Sequence, residues 1–257
     1  MLSGVTKLPI SLVIITLNEE ANIERCIRSA PFVSDVVVVD SFSSDATPEV
    51  AKACGARVFQ EAWRGFGPQK AFATEQATQP WILSLDADEA LSPELAAEIQ
   101  SKFSELDPKA GYMIPRRSFH LGRWIYHGGW YPDLQLRLFN KDHSQWNAAA
   151  VHEKVEVQKV LELKNDILHW VFKDLSHQVV TNDRYSSLGA AELESRGERF
   201  SILKLLFKPF GKFVECYIMK AGFRDGVPGL IIAMGAAYSL FLKFAKMWEK
   251  EHVRKNS

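Results

Sequence analysis

Two carboxylates stand two residues apart, directly after an apolar stretch of the chain. The stretch is Trp81-Ile82-Leu83-Ser84-Leu85, and Asp86-Ala87-Asp88 follows it. An apolar run of this length predicts a buried strand, so the carboxylates come where the strand end meets solvent. Carboxylates in that position need a partner, and a divalent cation shared with a substrate diphosphate is one that suits them. The alternative is an ordinary polar strand end followed by a turn, and this alternative is favoured when a D-x-D pair occurs without other motifs.

Polar residues also follow two other predicted strands. Asn18 comes after the β-branched run 10–17, and Asp40 ends the run 35–40. Four hydrophobic strands, each followed by a helical segment, predict a parallel, doubly wound sheet. Because ligands bind at the carboxyl ends of the strands in such sheets, we expect Asn18, Asp40 and Asp86 to share one functional edge.

The hydrophobic pattern also predicts where the elements lie. Strands are expected over 10–17, 35–40, 56–59 and 81–85, with helices from Asn18 to about Ala30, from Thr47-Pro48 to Gly55, over 68–77 and over 92–106. Further strands are expected over 112–119, 134–139 and 151–157. From Asp174 the chain is predicted to be helical, with breaks at Gly197 and at Pro209-Phe210-Gly211.

Composition indicates a globular protein with an uneven charge distribution. The chain has 257 residues, 47% of them apolar, and its three cysteines form no C-x-x-C pair, which is typical of reduced core thiols in a cytoplasmic protein. The net charge is zero, yet the residues from Phe200 onward carry ten basic and four acidic side chains. A basic, aromatic-rich tail on an acidic body suggests an anionic partner for the tail. We expect no nucleic-acid partner.

Several common nucleotide and hydrolase motifs are absent from the sequence. It contains no G-x-G-x-x-G after the first strand, no G-x-x-x-x-G-K-[ST] loop, no G-x-S-x-G elbow and no H-E-x-x-H. These absences disfavour a dinucleotide enzyme and a P-loop phosphoryl-transfer enzyme.

A set of motifs distinguishes this chain instead. The set Thr16-Leu17-Asn18-Glu19-Glu20, Asp40, Asp45-Ala46-Thr47 and Asp86-Ala87-Asp88 resembles the family 2 inverting glycosyltransferases of the GT-A fold, over residues about 8 to 160. The whole chain further resembles bacterial β-1,4-glucosyltransferases of lipopolysaccharide or lipooligosaccharide core assembly. The closer likeness rests on the segments 127–133, 137–139 and 151–153 and on Phe223-Arg224-Asp225-Gly226 with Gly229.

The resemblance implies a role for each residue of the nucleotide-sugar pocket. The residues implied to bind the donor are Thr16, Leu17, Asn18, Glu19, Asp40, Asp45, Lys70, Asp86 and Ala87, with Gln69 near the diphosphate. Carboxylates accept bonds from ribose hydroxyls or a uracil N–H, and lysine is a suitable point charge for phosphate. Alternatively, Asp40 ends a strand, Lys70 lies on a solvated helix face, and Asp45 with Thr47 forms a turn and a helix cap.

The resemblance also implies the metal site and the base. Asp88 and Asp86 would bind Mg²⁺ or Mn²⁺, with His152 as a tentative further ligand, and Asp133 would take the proton of the acceptor hydroxyl. Glu153 is the rival base. An ordinary loop histidine and a loop-capping aspartate are the alternatives for His152 and Asp133.

An acceptor surface is implied at Trp130, Tyr131 and Arg137, where flat aromatic faces suit the C–H side of a sugar ring. Ordinary packing of a loop-rich segment is the alternative for the aromatic pair.

The resemblance therefore implies an α/β architecture of GT-A type. A catalytic domain over 8–172 would comprise a Rossmann-like nucleotide-sugar half over about 8–110 and a mixed-sheet acceptor half over about 111–172. A helical, amphipathic extension would follow over 173–257. Its longest uncharged stretch, 227–242, has 16 residues, fewer than the about 20 that a membrane span needs, so we expect a peripheral protein on the inner face of the cytoplasmic membrane. A C-terminal helix that packs on the catalytic domain is the alternative.

The function implied is metal-dependent inverting transfer of a hexose, glucose from UDP-glucose, to a heptose of a lipid-linked lipopolysaccharide core. Two other hypotheses remain open. A polyprenyl-phosphate sugar transferase of the same fold would carry hydrophobic transmembrane pairs after the catalytic domain. A non-catalytic nucleotide-sugar-binding protein would have no need of the acidic residues Asp86, Asp88 and Asp133.

Overall fold

The computed structural model describes residues 6–146 and 155–253, and the chain divides into two compact units. The first unit comprises Met1–Arg116 and Leu134–His169, and the second comprises Arg117–Asp133 and Trp170–Ser257.

The elements alternate between strand and helix in the first third of the chain and are helical in the last third. The strands are β1 Leu8–Thr16, β2 Val33–Asp40, β3 Arg57–Gln60, β4 Trp81–Asp86, β5 Glu89–Leu91, β6 Ala110–His120, β7 Arg123–Trp124, β8 Asp133–Asn140, β9 Gln145–Trp146, β10 Val155–Glu156, β11 Lys159–Glu162 and β12 Ile167–His169. The helices are α1 Ile23–Arg28, α2 Thr47–Ala53, α3 Phe66–Glu75, α4 Pro93–Lys102, α5 Leu175–Ser195, α6 Ile202–Val214 and α7 Gly226–His252.

The main sheet is parallel at one side and mixed at the other. Its order is β3-β2-β1-β4-β8-β6-β12-β5, and β1, β2, β3 and β4 run parallel. Strand β8 joins β4 in the antiparallel sense, which makes the sheet mixed. The predicted α/β architecture, with a parallel nucleotide-type half and a mixed remainder, is confirmed.

Both faces of the parallel strands are covered, as their unbroken apolar sequences predict. On one face Leu12 and Ile14 of β1 lie in a buried cluster with the α1 side chains Ile23, Cys26 and Ile27. On the other face Val13 and Ile15 pack with Ala73 of α3. Burial raises the pKa of the Cys26 thiol well above its ordinary value, in keeping with an inert core cysteine.

The structure corrects the predicted elements at Asn18 and at Pro209. Asn18 does not cap a helix: it has a positive φ of 56° and bonds to the next strand's loop, so α1 begins only at Ile23. Pro209 lies inside α6 and does not interrupt it, at the cost of one backbone hydrogen bond. Of the strand expected over 151–157, residues 151–154 lie outside the described residues, and β10 covers Val155–Glu156.

The helices of the second unit show an unusual distribution of polarity. On the α5 side of α7, Lys246 Nζ lies within hydrogen-bond distance of four oxygens: Asp183 O at 2.9 Å, Asp183 Oδ1 at 2.6 Å, and the hydroxyls of Ser186 at 2.8 Å and Ser187 at 2.7 Å. The exposed side chains of α6 and α7, in contrast, include many large apolar ones: Ile202, Leu203, Leu206, Phe207, Phe210, Val227, Met234, Tyr238 and Phe241. These nine residues are called the apolar face below.

Among the described residues, one helical stretch is long and apolar enough, by length and composition alone, to cross a membrane. It runs over Gly222–His252, and 28% of its most apolar window is buried in the protein. The helix continues past Lys243 and Lys246, so it is longer than the uncharged stretch considered from the sequence. It is a candidate for membrane association.

Candidate active site

Three strands of the first unit end side by side. Thr16 of β1 pairs with Asp40 of β2, and Ile15 pairs with Asp86 of β4. The order 3-2-1-4 places the reversal of winding between β1 and β4, the position at which doubly wound sheets bind ligands. The three polar strand ends expected to share one edge therefore do so.

The loops after β1 and β2 are hydrogen-bonded to each other. The backbone N–H of Asn18 donates to Ser43 Oγ at 2.8 Å, and Asn18 Oδ1 accepts from the backbone N–H of Ser44 at 2.8 Å. Glu19 N–H donates to Thr47 Oγ1 at 2.8 Å. Leu17 is exposed between them. This segment is thus held in place before any ligand binds.

The two acidic residues of the β2 loop have partners within the protein. Asp40 is fully buried, and its carboxylate accepts from Ser43 N–H at 2.9 Å and Ser43 Oγ at 2.5 Å. Asp45 Oδ1 accepts from the Thr47 hydroxyl at 2.5 Å, and α2 begins at Thr47. These bonds match the turn proposed as the alternative for Asp45. The predicted contacts of Asp40 and Asp45 with the nucleotide stay predictions.

The first carboxylate of the D-x-D motif lies between two cations. Asp86 Oδ1 lies 2.7 Å from Lys70 Nζ of α3, and Oδ2 accepts from Arg137 Nη2 of β8 at 2.6 Å. Lys70 is therefore not on a solvated helix face. Arg137, expected on an acceptor surface, is a buried residue of β8, and its acceptor role stays a prediction.

Glu89 extends the pair into a charge network that the sequence did not reveal. This buried carboxylate accepts from Arg137 at 2.7 Å and Arg116 at 2.9 Å, and its other oxygen accepts from Asp86 N–H at 2.9 Å. Three basic side chains thus meet two carboxylates. Glu89 and Arg116 belong to no motif, so only the folded chain brings them into the site.

Electrostatics keeps the Asp86 carboxyl of this network charged. Burial alone would raise the pKa of the Asp86 carboxyl, but the charges of Arg137 and Lys70 outweigh it and hold the pKa far below its usual range. Burial and the nearby Arg137 charge lower the pKa of Lys70, against the opposing effects of Asp86 and Glu89. The Lys70 side chain is therefore a desolvated cation paired with Asp86, and such a group is suited to bind an anion.

Among the described residues, the buried polar atoms without a hydrogen-bond partner include Thr16 Oγ1, Gln69 Oε1 and Arg137 Nε. Buried polar atoms normally have partners, so these atoms are unusual. Gln69 Nε2 is occupied by Ser41 Oγ at 3.2 Å and Glu61 O at 3.1 Å.

The second carboxylate of the motif lies against a histidine. Asp88 Oδ2 is 3.3 Å from Nε2 of His169, the last residue of β12, while Ala87 between the two carboxylates is buried. Residues 6–146 and 155–253 contain no group of three or more His, Cys, Asp or Glu side chains placed to hold a metal ion. His152 and Glu153, the tentative ligand and the rival base, lie outside the described residues.

Aromatic side chains line the loop of the second unit that precedes β8. Trp130 stacks on His120 with ring centroids 5.7 Å apart, and Tyr131 meets Tyr126 edge to face at 5.8 Å. Burial lowers the pKa of His120, although its bond to Gln178 opposes the shift, so a neutral ring faces Trp130. Asp133, the predicted base, is half-buried where β8 begins.

Comparison with known proteins identifies the family. Residues 11–160 match the family model described as glycosyl transferase family 2. The chain belongs to this family. A lipopolysaccharide core biosynthesis glycosyltransferase of Rhizobium meliloti, LpsC, is 30% identical over 263 residues, which cover 97% of this chain and 96% of the relative. An uncharacterised glycosyltransferase of Rickettsia typhi is 31% identical, with 93% and 87% of the two chains covered.

This family 2 glycosyltransferase also has distant likenesses among solved structures. Glucosyl-3-phosphoglycerate synthase from Mycobacterium tuberculosis, crystallised with Mn²⁺, UDP and its product, is 27% identical, covers 47% of this chain and 46% of its own, and has a TM-score of 0.34. The family assignment and the mixed sheet confirm the predicted enzyme class and the GT-A type of fold.

Proposed function

We propose that this glycosyltransferase transfers a hexose from a UDP-sugar, glucose from UDP-glucose, to a heptose of the lipopolysaccharide core. The relative from Rhizobium meliloti, named for core biosynthesis, matches almost the whole of both chains and supports the acceptor class. The observation that carries the donor proposal is the charge network around Asp86 at the edge of the sheet.

The network is suited to a diphosphate. Its basic side chains Lys70, Arg116 and Arg137 outnumber the carboxylates Asp86 and Glu89, and Lys70 would exchange Asp86 for an incoming phosphate. The orphaned Thr16 Oγ1 and Arg137 Nε would then gain partners. Asn18, Glu19, Asp40 and Asp45 would surround the nucleoside, as the family resemblance implies.

A divalent cation fits the second carboxylate of the motif. Asp88 and His169 supply a carboxylate oxygen and an imidazole nitrogen at one point, a donor set compatible with Mn²⁺ and, through the carboxylate and water, with Mg²⁺. Asp86 is already paired with two cations, so we assign Asp88 as the direct ligand and leave His152 as a further candidate. When bound, the cation would neutralise negative charge that develops on the departing diphosphate.

The chemical step needs one base. The acceptor hydroxyl oxygen forms a bond to the anomeric carbon as the bond from that carbon to the diphosphate breaks, and the hydroxyl proton passes to a carboxylate. We propose Asp133 as that carboxylate, with Glu153 as the alternative. Trp130 and Tyr131 offer ring faces to the acceptor sugar.

We further propose that the protein acts at the inner face of the cytoplasmic membrane, where a lipid-linked core would be found. The apolar face of α6 and α7 supports this, because large exposed aromatic and aliphatic side chains favour an interface with lipid. On α6, Lys204, Lys208 and Lys212 recur every four residues, which places them on one stripe for anionic headgroups.

The direct test measures UDP release from a panel of UDP-sugars, with Mg²⁺, Mn²⁺ or EDTA. The acceptors are a heptose-terminated core lipid and a polyprenyl phosphate. We expect release only with metal and the core lipid, fastest with UDP-glucose. Transfer to the polyprenyl phosphate alone would favour the polyprenyl-phosphate sugar transferase, and UDP-sugar binding without release would indicate a binding protein.

A further inference from the structure

We infer that Asp225 is a positioning residue, which holds the loop 123–133 in its working form before any substrate binds. The inference rests on the proposed function, because that loop carries Trp130, Tyr131 and Asp133. Asp225 ends the 3₁₀ turn Gly222–Asp225, immediately before α7, and it is fully buried.

The carboxylate of Asp225 gathers donors from one short segment of the loop. Its Oδ2 accepts from the backbone N–H of His127 at 2.8 Å and of Tyr126 at 3.1 Å. Its Oδ1 lies 3.2 Å from His127 Nδ1 and 3.3 Å from Arg123 Nη2. A carboxylate that accepts several bonds, two of them from the backbone, fixes the path of the main chain and not only a side chain.

The turn that carries Asp225 is itself rigidly seated. A Cβ at Gly229 would stand 1.9 Å from Gly222 O, and one at Gly222 would stand 2.7 Å from Cys216 O, so glycine alone fits at both positions. The loop adds a third connection, because Gly128 N–H donates to Lys220 O at 2.9 Å. Close backbone packing therefore sets where the carboxylate stands.

The motif Phe223-Arg224-Asp225-Gly226 with Gly229 thereby acquires a function in this chain. The glycines let the turn approach its neighbours, and the aspartate clamps the loop that leads to the proposed base. Asp225 directly precedes α7, the helix that we propose contacts the membrane. The position of α7 therefore also determines where the loop lies.

The test uses the full chain with Asp225→Asn. This substitution keeps the size of the side chain but replaces one acceptor oxygen with an amide NH2 group, which cannot accept a hydrogen bond from the loop. Without substrate, we expect the amides of Tyr126 and His127 to exchange with deuterium roughly 10- to 100-fold faster than in the wild type. The KM for the core-lipid acceptor should rise by a similar factor, whereas the affinity for UDP, which we propose residues of the first unit bind, should be unchanged.

Glu192→Gln is the matched control, because it removes an exposed carboxylate paired with Arg196 on α5 and should alter neither readout. If Asp225→Asn does not fold, Arg123→Gln removes only the outer, half-exposed partner and should shift both readouts in the same direction by less. Unchanged exchange and acceptor KM would overturn the inference, as would an equal loss of affinity for UDP. A wild type that transfers nothing would overturn the proposed function, and faster exchange in Asp225→Asn would still establish the clamp.

Discussion

Asp88 and His169 meet at the edge of the first unit, with the carboxylate Oδ2 3.3 Å from the imidazole Nε2. Both side chains are largely shielded from solvent, so the ring is held where it can either orient the carboxylate or share a cation with it. The histidine comes from the far end of the first unit's sequence, and no spacing rule connects it to the D-x-D motif.

The first prediction concerns this pair. Asp88→Ala should abolish transfer, because the direct metal ligand is lost, and excess Mn²⁺ should restore little. His169→Gln should raise the Mn²⁺ concentration needed for half-maximal activity by roughly 10–100-fold. Metal titrations of the UDP release rate measure both effects. Full activity in EDTA would contradict the assignment.

The second prediction distinguishes the two candidate bases. Asp133→Asn keeps the shape of the side chain but removes the proton acceptor, so kcat should fall by roughly 10²–10⁴-fold with UDP-sugar affinity nearly unchanged. Glu153→Gln, measured beside it, should retain most of the activity. If Glu153→Gln is inactive and Asp133→Asn active, the two roles are exchanged.

The third prediction concerns the cation that pairs with Asp86. Lys70→Gln should weaken UDP-sugar binding roughly 10–100-fold, because a charge-assisted bond to the diphosphate is lost. Isothermal titration with UDP measures the affinity directly. Lys52→Gln, an exposed lysine on α2, is the matched control. Equal affinities for both variants would mean that Lys70 serves only to neutralise Asp86.

The fourth prediction concerns stability and pH. Glu98 of α4 accepts from Lys102 at 2.7 Å and from the amide side chain of Asn165 at 2.9 Å. Burial alone would raise the pKa of Glu98, but these bonds and those from the 164–165 backbone lower it. A carboxylate with a pKa lower in the folded than in the unfolded state stabilises the fold above the unfolded value, and its contribution is lost as pH falls.

Glu98→Gln should therefore reduce the free energy of unfolding by about 1–3 kcal/mol at pH 7, and the difference should shrink as pH falls below about 4.5. Urea denaturation at a series of pH values gives both numbers. Glu75→Gln, on the exposed side of α3, should change little at any pH. If the difference in free energy of unfolding between wild type and Glu98→Gln stays constant down to pH 3, the hydrogen bonds of Glu98 stabilise the fold independently of its charge.

The fifth prediction concerns the apolar face. Phe207→Asp combined with Phe210→Asp should abolish co-sedimentation with anionic vesicles at low salt, because two side chains that are 66% and 69% exposed would no longer enter lipid. Val160→Asp on β11 is the control in the first unit. If the wild type never binds such vesicles, the apolar face has no role at the membrane. If the wild type stays in the membrane fraction after an alkaline carbonate wash, the protein spans the membrane.

The sheet was predictable because strands that are buried on both faces have unbroken apolar sequences, and the helices between them imply a parallel order. The D-x-D motif was found for the same reason, since it comes directly after such an apolar run. Glu89, Arg116 and His169 were not found, because their partners come from distant segments and nothing in their immediate sequence distinguishes them from ordinary surface residues. The first helix was wrongly predicted to start at Asn18, since the bonds of Asn18 go to Ser43 and Ser44 in another loop and α1 starts at Ile23.

Lys246 of α7 lies close to four oxygens of α5, and this contact has a consequence for helix register. A purely apolar contact between α5 and α7 would tolerate sliding, because one aliphatic surface substitutes for another. The ammonium group instead lies beside Asp183, Ser186 and Ser187, which occupy one turn of α5. A slip of one turn, about 5.4 Å, would separate it from all of them at once. This polar contact, beside the apolar cluster of Ala190, Phe244 and Met247, therefore fixes how far α7 extends past α5, whatever surrounds the outer side of α7.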